Sequence, residues 1–224
     1  MIKNVILDIG NVLLDFGWEK TERRIIGEYA SAKGIEDPAE QEALFDRLRK
    51  ATVDNTTWKE YDKGNWTEEE VIQSFVDADP ELEEPIRQVG KSLEEMLIRK
   101  ESSIPWIDLL HALGYQVYYL SNFSAPAVRD AKGALDFLPH TDGGFLSYTV
   151  HLIKPQKAFY QMLLEEYELE AEECVFFDDM QRNIDGAKAA GIKAYVFESV
   201  EQAMGILNEL KEQKETKKLV SLNG

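Results

Sequence analysis

The sequence predicts an α/β fold in which helices cover both faces of a parallel sheet, with an all-helical domain inserted into it. Four short segments are apolar on both faces and rich in β-branched or aromatic residues, as the strands of buried parallel sheets are. A helical pattern follows each of them. Between the first segment and the second, residues 16–100 show helix after helix and no convincing strand.

The strands and helices of the sheet domain can be assigned in chain order. The strands are expected at residues 5–8 (VILD), 116–122 (QVYYLSN), 174–179 (CVFFDD) and 193–197 (KAYVF). The helices between them are expected at residues 104–114, 157–169 and 182–191, and Gly114 and Gly191 end the first and the third. Because crossovers between parallel strands are right-handed, the carboxyl ends of these strands share one edge, where such sheets bind ligands.

These elements divide the chain into three predicted parts. Residues 1–15 and 101–213 form the sheet domain, and residues 16–100 form an inserted helical cap, since that stretch is too long for a crossover and too helical for the sheet. Residues 214–224 form a polar C-terminal tail that is expected to fray. In the cap, the aromatic residues Trp58, Tyr61 and Trp66 could form a gate above a substrate, but their helical spacing favours hydrophobic core for at least one of them.

Composition argues against several classes of partner. The chain of 224 residues is 44% hydrophobic, which is enough for a sizeable core, and its formal charge of −17 would repel nucleic acid and anionic membranes. No stretch approaches about 18 unbroken apolar residues, and the N-terminus lacks the pattern of a signal peptide. Cys174 is the single cysteine and is expected to be a buried thiol. We expect a cytoplasmic protein with no nucleic-acid or membrane partner; its oligomeric state stays open.

Polar residues gather at the predicted carboxyl edge of the sheet. They follow the first three strands or precede a proline that opens a helix. These residues are Asp8, Ser121, Asn122, Lys154, Asp178 and Asp179. Carboxylates at one edge repel one another unless a cation lies among them, and hard oxygen ligands suit Mg²⁺. The pattern therefore predicts a site that binds a metal and an anion.

Four segments of the chain resemble the motifs of a known superfamily. They are "DIGNVLLDF", "SNFS", "KP" and "DDMQRNIDGAKAAG". In order and spacing they are similar to the four motifs of the haloacid dehalogenase-like hydrolases, and the insertion after the first motif resembles the helical C1 cap of that superfamily. The resemblance covers nearly the whole chain and implies a Rossmann-like core. Some members with the same "D-x-G-N/G-V" opening look like sugar-phosphate phosphatases, such as those similar to glucose-1-phosphate phosphatase.

The resemblance implies catalytic and substrate-binding roles for four matched residues. Asp8 would be the nucleophile, which attacks phosphorus to give an aspartyl-phosphate that water then hydrolyses. Ser121 and Asn122 would hold the transferred phosphoryl group. Lys154 would neutralise the phosphoryl oxygens and the nucleophile.

The same resemblance implies how Mg²⁺ is held. Asp8 and Asp179 would be metal ligands, and Gly10 would offer its backbone carbonyl. Asp178 would be a second, supporting carboxylate of the fourth motif. Asn183 would orient Asp179 or a water bound to the metal.

One departure from the superfamily pattern concerns Gly10. Phosphatases of the superfamily usually carry a second aspartate two positions after the nucleophile, and this aspartate protonates the leaving oxygen. Glycine cannot be a general acid. The gap favours a leaving group that needs little help, such as that of a glycosyl phosphate, or a water or cap residue as the acid.

The leading functional prediction is a Mg²⁺-dependent phosphatase that acts on a small phosphorylated metabolite, such as a hexose 1-phosphate, under a closing cap. A metal-free 2-haloacid dehalogenase is the alternative, because such enzymes also lack the second aspartate. A metal-binding regulatory module without turnover is a third possibility. The carboxylate pair at Asp178 and Asp179 argues against the dehalogenase, since without metal it would repel an anionic substrate.

Overall fold

The computed structural model describes residues 1–53 and 55–222, with the backbone alone described at positions 55, 132 and 214–222. Within these residues the chain forms a parallel sheet of five strands and an antiparallel ribbon of two. In chain order the strands are β1 (Asn4–Leu7), β2 (Leu14–Phe16), β3 (Leu97–Arg99), β4 (Gln116–Ser121), β5 (Gly143–Leu146), β6 (Cys174–Asp178) and β7 (Lys193–Val196).

The helices lie in two groups along the chain. Those between β2 and β3 are α1 (Trp18–Lys33), α2 (Pro38–Thr52), α3 (Asn55–Asp62), α4 (Glu68–Ala78), α5 (Glu83–Lys91) and the single turn α6 (Leu93–Met96). Those that follow β3 are α7 (Ser103–Ala112), α8 (Ala125–Ala131), α9 (Lys157–Glu166), α10 (Gln181–Ala189) and α11 (Val200–Leu222). The first group forms the helical cap and the second packs on the sheet.

The main sheet has the order β5-β4-β1-β6-β7, with β1 at its centre. Asn4 aligns with Gln116 on one side and with Cys174 on the other, and both pairings are parallel. The carboxyl ends of β1, β4 and β6 therefore lie side by side at one edge. The predicted fold class is confirmed, and the predicted strands and helices of the sheet domain are found within a few residues of their expected ends.

Alternating side chains of the strands bury both faces of the sheet. Val5 and Leu7 point into a cluster that includes Trp106 of α7 and Leu207 of α11. Ile6 points the other way, into a cluster formed with residues of α9 and α10. A separate hydrophobic cluster fills the cap, and the buried Tyr61 belongs to it, with Trp58 and Trp66 packed against it. This agrees with the prediction that aromatic residues of the cap are core.

Strand β5 was not predicted, because two glycines hide it. Gly143 and Gly144 have φ values of 147° and 150°, and a Cβ on Gly144 would lie 2.2 Å from the Tyr119 carbonyl oxygen. Only glycine can bring the backbone this close to β4. Glycine has a low strand propensity, so the segment has no strand signal in the sequence.

The β2–β3 ribbon joins the cap to the sheet domain and was also not predicted. Its strands have three residues each, which is too short for a period to be read from sequence. Lys100, just after β3, donates from Nζ to the Asn11 carbonyl oxygen at 2.6 Å. The predicted boundaries of the cap at residues 16 and 100 lie at or next to this ribbon and remain proposals.

Helix α11 continues through residues 214–222, which the sequence analysis assigned to a frayed polar tail. Glu, Gln and Lys are good helix formers, so a polar segment of this kind can extend a helix. Residues 223 and 224 of the predicted tail lie outside the described residues. Among the described helices, no segment is both long and apolar enough to cross a bilayer.

Candidate active site

Asp8 lies directly after β1, at the edge where the parallel strands end. Its N–H donates to the Phe177 carbonyl oxygen at 2.9 Å, which extends the ladder to β6 by one residue. Asp8 Oδ1 accepts hydrogen bonds from Ser121 Oγ at 2.7 Å and from the Ile9 N–H at 2.6 Å, and Lys154 Nζ lies 2.7 Å from the same oxygen. In the part of the chain that the structure describes, Oδ2 has no such partner, so it is available to a cation or a substrate.

Lys154 is a buried cation, with only 2% of its surface exposed. Its Nζ lies between two carboxylates, 2.7 Å from Asp8 Oδ1 and 2.6 Å from Asp178 Oδ2. The side chain of Asn122 holds its backbone from both sides: Asn122 Oδ1 accepts the Lys154 N–H at 2.7 Å, and Nδ2 donates to the Lys154 carbonyl oxygen at 3.2 Å. In this structure the amide of Asn122 positions Lys154, and its predicted role in holding the phosphoryl group stays a prediction.

Asp178 is fully buried at the end of β6 and is bound on both oxygens. Its Oδ1 accepts from the Met180 N–H at 2.8 Å, and Asn183 Nδ2 lies 2.9 Å from Oδ1 and 3.0 Å from Oδ2. Asn183 was predicted to orient Asp179 or a water, and the structure pairs its amide with Asp178 instead. Asn183 lies in the first turn of α10, and its side chain faces Asp178 and not the more exposed Asp179.

Three carboxylates converge at this edge of the sheet. Asp8, Asp178 and Asp179 each offer an oxygen, and these atoms lie within 4.8 Å of one another. Asp179 Oδ2 accepts from Asn11 Nδ2 at 2.8 Å, and Asn11 has the left-handed φ of 55° that asparagine tolerates. The ammonium of Lys154 offsets one of the three charges, which leaves an excess of negative charge. Hard oxygen donors with an excess of negative charge fit Mg²⁺.

The buried charges alter the ionisation of their neighbours. Burial raises the pKa of Asp8 to about 7, although the ammonium of Lys154 opposes this effect. Burial would also raise the pKa of Asp178, but Lys154 and the hydrogen bonds to this carboxylate hold it below its usual range. The two carboxylates in turn raise the pKa of Lys154 against the effect of its burial. Lys154 therefore stays charged between them.

Phe16 occupies the space beside Gly10. A Cβ on Gly10 would lie 2.7 Å from Phe16 Cε2 and 3.1 Å from Cζ, so the aromatic ring closes this position to a side chain. Phe16 is the last residue of β2, and it therefore comes from the ribbon that joins the cap to the sheet domain. The backbone carbonyl of Gly10 as a ligand of Mg²⁺ remains a prediction.

A cavity of about 160 Å³ lies next to these residues. Its walls come from the ribbon, the cap helices α1, α3 and α6, and the segment that runs from the end of β4 into α8. They are mainly apolar and are formed by Phe16, Trp18, Trp58, Tyr61, Asp62, Leu93, Leu97, Asn122, Phe123, Ser124 and Ala127. Trp58 and Tyr61 therefore serve both as cap core and as cavity wall. Asp62 is the single acidic side chain of this wall among the described residues.

Sequence reasoning missed three residues of this region. Asn11 stands in the turn after Gly10, where its left-handed conformation is an ordinary turn feature and its partner Asp179 lies far along the chain. Phe16 and Asp62 reach the site only through the arrangement of the cap. The sequence signal for Asp62 was its position one helical turn after Trp58, which places both side chains on the same face of α3.

A family model described as haloacid dehalogenase-like hydrolase matches residues 2–191 of this chain. A curated relative, the drimenol cyclase drtB of Aspergillus calidoustus, is 24% identical over 213 residues, which cover 94% of this chain. The chain spans 37% of the length of that relative.

Solved structures share the fold. A haloacid dehalogenase family enzyme from Bacteroides thetaiotaomicron, in complex with magnesium and inorganic phosphate, matches with a TM-score of 0.66 and 18% identity over 88% of this chain and 95% of its own. A predicted hydrolase of the family from Porphyromonas gingivalis gives 0.65 and 24% identity over 92% and 98%. The L-2-haloacid dehalogenase from Xanthobacter autotrophicus, with chloropropionic acid covalently bound, gives 0.58 and 15% over 87% and 76%. With the family model spanning both the sheet domain and the cap, this chain belongs to the haloacid dehalogenase-like hydrolases.

Proposed function

We propose that this protein is a magnesium-dependent phosphatase that hydrolyses a small phosphomonoester through an aspartyl-phosphate on Asp8. The arrangement of Asp8 carries the proposal. Its Oδ1 is held by Ser121 and Lys154, while Oδ2 has no partner among the described residues. A buried ammonium beside a nucleophile suits an anionic substrate, and membership in a hydrolase family supports hydrolytic chemistry.

The residues of the chain divide the reaction into two displacements. In the first, Asp8 Oδ2 attacks phosphorus, and the bond between phosphorus and the leaving oxygen breaks. In the second, water attacks the same phosphorus, and the bond to Asp8 breaks, which releases inorganic phosphate and restores the carboxylate. Lys154 lies 2.7 Å from Asp8 and offsets negative charge in both steps. Ser121 keeps the carboxylate oriented through its 2.7 Å hydrogen bond.

Magnesium fits the carboxylates of Asp8 and Asp179, with the buried Asp178 beside them and the Gly10 carbonyl as a further ligand. When bound, the ion supplies positive charge that neutralises the phosphoryl oxygens. The hydrogen bonds of Asn183 and Asn11 hold two of the carboxylates in place. A neighbour in fold was solved with magnesium and inorganic phosphate, which is consistent with this choice of ion.

The cavity limits the size and the chemistry of the leaving group. Its volume of about 160 Å³ is close to that of an engineered cavity of about 150 Å³ that binds benzene, so it accommodates about one six-membered ring. A hexose has this size, but much of the wall is apolar, and the amide of Asn122 and the indole N–H of Trp58 are already engaged. The sugar phosphate that the sequence favours is therefore to be tested beside an aryl phosphate of the same ring size.

The test is release of inorganic phosphate from a panel of hexose phosphates, nucleotides and aryl phosphates, with Mg²⁺ and with EDTA. We expect Mg²⁺-dependent release that Asp8→Asn abolishes, because the amide cannot form the aspartyl-phosphate. Asp46→Asn makes the same change at an exposed position on α2 and should keep full activity. An Asp8→Asn variant that is folded and fully active would refute the mechanism.

A metal-free 2-haloacid dehalogenase is the second candidate, because an enzyme of that activity shares the fold. The three carboxylates within 4.8 Å speak against it, since they would repel a haloacid in the absence of a cation. Release of halide from 2-chloropropionate in EDTA, without phosphate release from any ester, would favour this candidate. Binding of Mg²⁺ and phosphate with neither activity would favour a regulatory module.

A further inference from the structure

A phosphatase that releases an alcohol needs a proton for the leaving oxygen, and position 10 has no side chain to supply one. The structure also closes that position, because a Cβ on Gly10 would lie 2.7 Å from the ring of Phe16. A carboxyl group could therefore not project from residue 10 with this ring in place. The acid for the reaction therefore has to be a water or a residue elsewhere in the chain, such as one of the cap.

Asp62 is an acidic residue in the wall of that cavity, and it belongs to the cap. It is the last residue of α3 and shares the wall with Asn122 and Ser124, which follow β4 in the sheet domain. The carbonyl oxygen of Asp62 accepts a hydrogen bond from Ser147 Oγ, which lies just after β5. The end of α3 is therefore fixed against the sheet domain beside the catalytic edge.

The carboxyl group of Asp62 lies within electrostatic reach of the nucleophile. The positive charge of Lys154 and the negative charge of Asp8 both act on it. Its carboxyl oxygens have no hydrogen bond or ion pair to any residue that the structure describes. Asp62 is thus a carboxyl group in the cavity wall that has not been used for structural contacts.

The surroundings of Asp62 favour its protonated form. Burial raises the pKa of Asp62 to about 7, with the positive charge of Lys154 lowering it and the negative charge of Asp8 raising it. An acid with a pKa near the working pH is suited to give a proton in one step and to regain it in the next. An exposed aspartate would have lost its proton well below neutral pH.

We propose that Asp62 is the general acid of this enzyme, a role that rests on the phosphatase function proposed above. As the bond between phosphorus and the leaving oxygen breaks, the electron pair stays on oxygen, and the carboxyl proton of Asp62 moves to it. The alcohol leaves neutral. Asp62 regains a proton from the water that hydrolyses the aspartyl-phosphate, which loses one in that step. The cap therefore supplies the acid, and the sheet domain supplies the nucleophile.

The test compares two substrates of similar size, para-nitrophenyl phosphate and para-nitrobenzyl phosphate, in single turnovers with enzyme in excess over substrate. The nitrophenolate leaves without a proton, whereas the benzyl alcohol needs one. We expect Asp62→Asn to slow release of the benzyl alcohol by about 10²- to 10⁴-fold and release of nitrophenolate by less than about threefold. Single turnovers isolate the first displacement, so a slower second step does not mask the difference.

Control variants separate this role from a structural one. Asp46→Asn should leave both rates unchanged, and Asp62→Glu, which keeps a carboxyl group, should recover part of the benzyl rate. Equal losses on the two substrates, or no loss on either, would overturn the role of Asp62. If Asp62→Asn does not fold, the same comparison is made with Asp62→Glu. Only the proposed role predicts that this variant slows release of the benzyl alcohol more than release of nitrophenolate. A wild-type enzyme that hydrolyses neither ester would instead overturn the phosphatase function.

Discussion

Lys154 allows two buried carboxylates to share the end of the sheet. Its Nζ lies 2.7 Å from Asp8 and 2.6 Å from Asp178, and Asn122 holds its backbone in place. A lone buried carboxylate costs several kcal/mol, and a pair of them without a cation costs more. The same ammonium that would neutralise a phosphoryl group therefore stabilises the fold when no metal is bound.

We expect Lys154→Met to lower the free energy of unfolding by about 3–5 kcal/mol, because it leaves Asp8 and Asp178 buried without their counter-charge. Urea unfolding in EDTA measures the change. The matched control is Lys188→Met on the exposed face of α10, which should alter stability by less than about 0.5 kcal/mol. A loss of similar size in both variants would mean that the ion pairs contribute little.

The β2–β3 ribbon does more than connect the cap to the sheet domain. Phe16 in β2 fills the space beside Gly10 and also forms part of the cavity wall. Leu97 in β3 pairs with Phe16 across the ribbon and lines the same cavity. The β2–β3 ribbon thus contributes directly to the shape of the cavity.

We expect Gly10→Ala to destabilise the protein by about 1–3 kcal/mol, because its Cβ would overlap the ring of Phe16. In the background of Phe16→Ala the same substitution should cost little, which gives a coupling of about 0.5–3 kcal/mol in a double-mutant cycle. Gly27→Ala in α1 is the control, since a Cβ there meets nothing within 4 Å and should stabilise the helix. Additive effects at positions 10 and 16 would refute the steric account.

The whole chain carries a formal charge of −17, and three carboxylates converge at the carboxyl edge of the main sheet. A cation at that edge would bind the folded chain and not the unfolded one, because the unfolded chain does not bring these residues together. Folding and metal binding are then coupled.

We expect Mg²⁺ at about one hundred times its dissociation constant to raise the free energy of unfolding by about 2.7 kcal/mol. The measurement is thermal or urea unfolding with MgCl₂ against NaCl of equal ionic strength, which separates a site from general screening. Asp179→Asn should remove most of the gain, whereas Asp185→Asn, an exposed change on α10, should keep it. An equal gain from NaCl would mean that no specific site exists.

Sequence patterns were sufficient to predict that the polar residues at the ends of neighbouring strands lie close together. Asp8, Ser121 and Asp178 end adjacent parallel strands, so their meeting follows from strand order and handedness. The partner of Asn183 could not be predicted in this way, because Asp178 and Asp179 are adjacent in the sequence and the structure is needed to show that its amide binds Asp178. Its predicted role toward Asp179 or a water stays a prediction. Asp62 was missed because the end of α3 meets the site through tertiary contacts, which leave no trace in local periodicity.

The ring of Phe16 beside Gly10 restricts how this sequence can evolve. An aspartate at position 10 clashes with the ring, and loss of the ring first removes part of the cavity wall before a new acid is present. Each single change is therefore unfavourable, and the effect of a substitution at position 10 depends on the residue at position 16. An acidic side chain at position 10 therefore requires a smaller or displaced side chain at position 16.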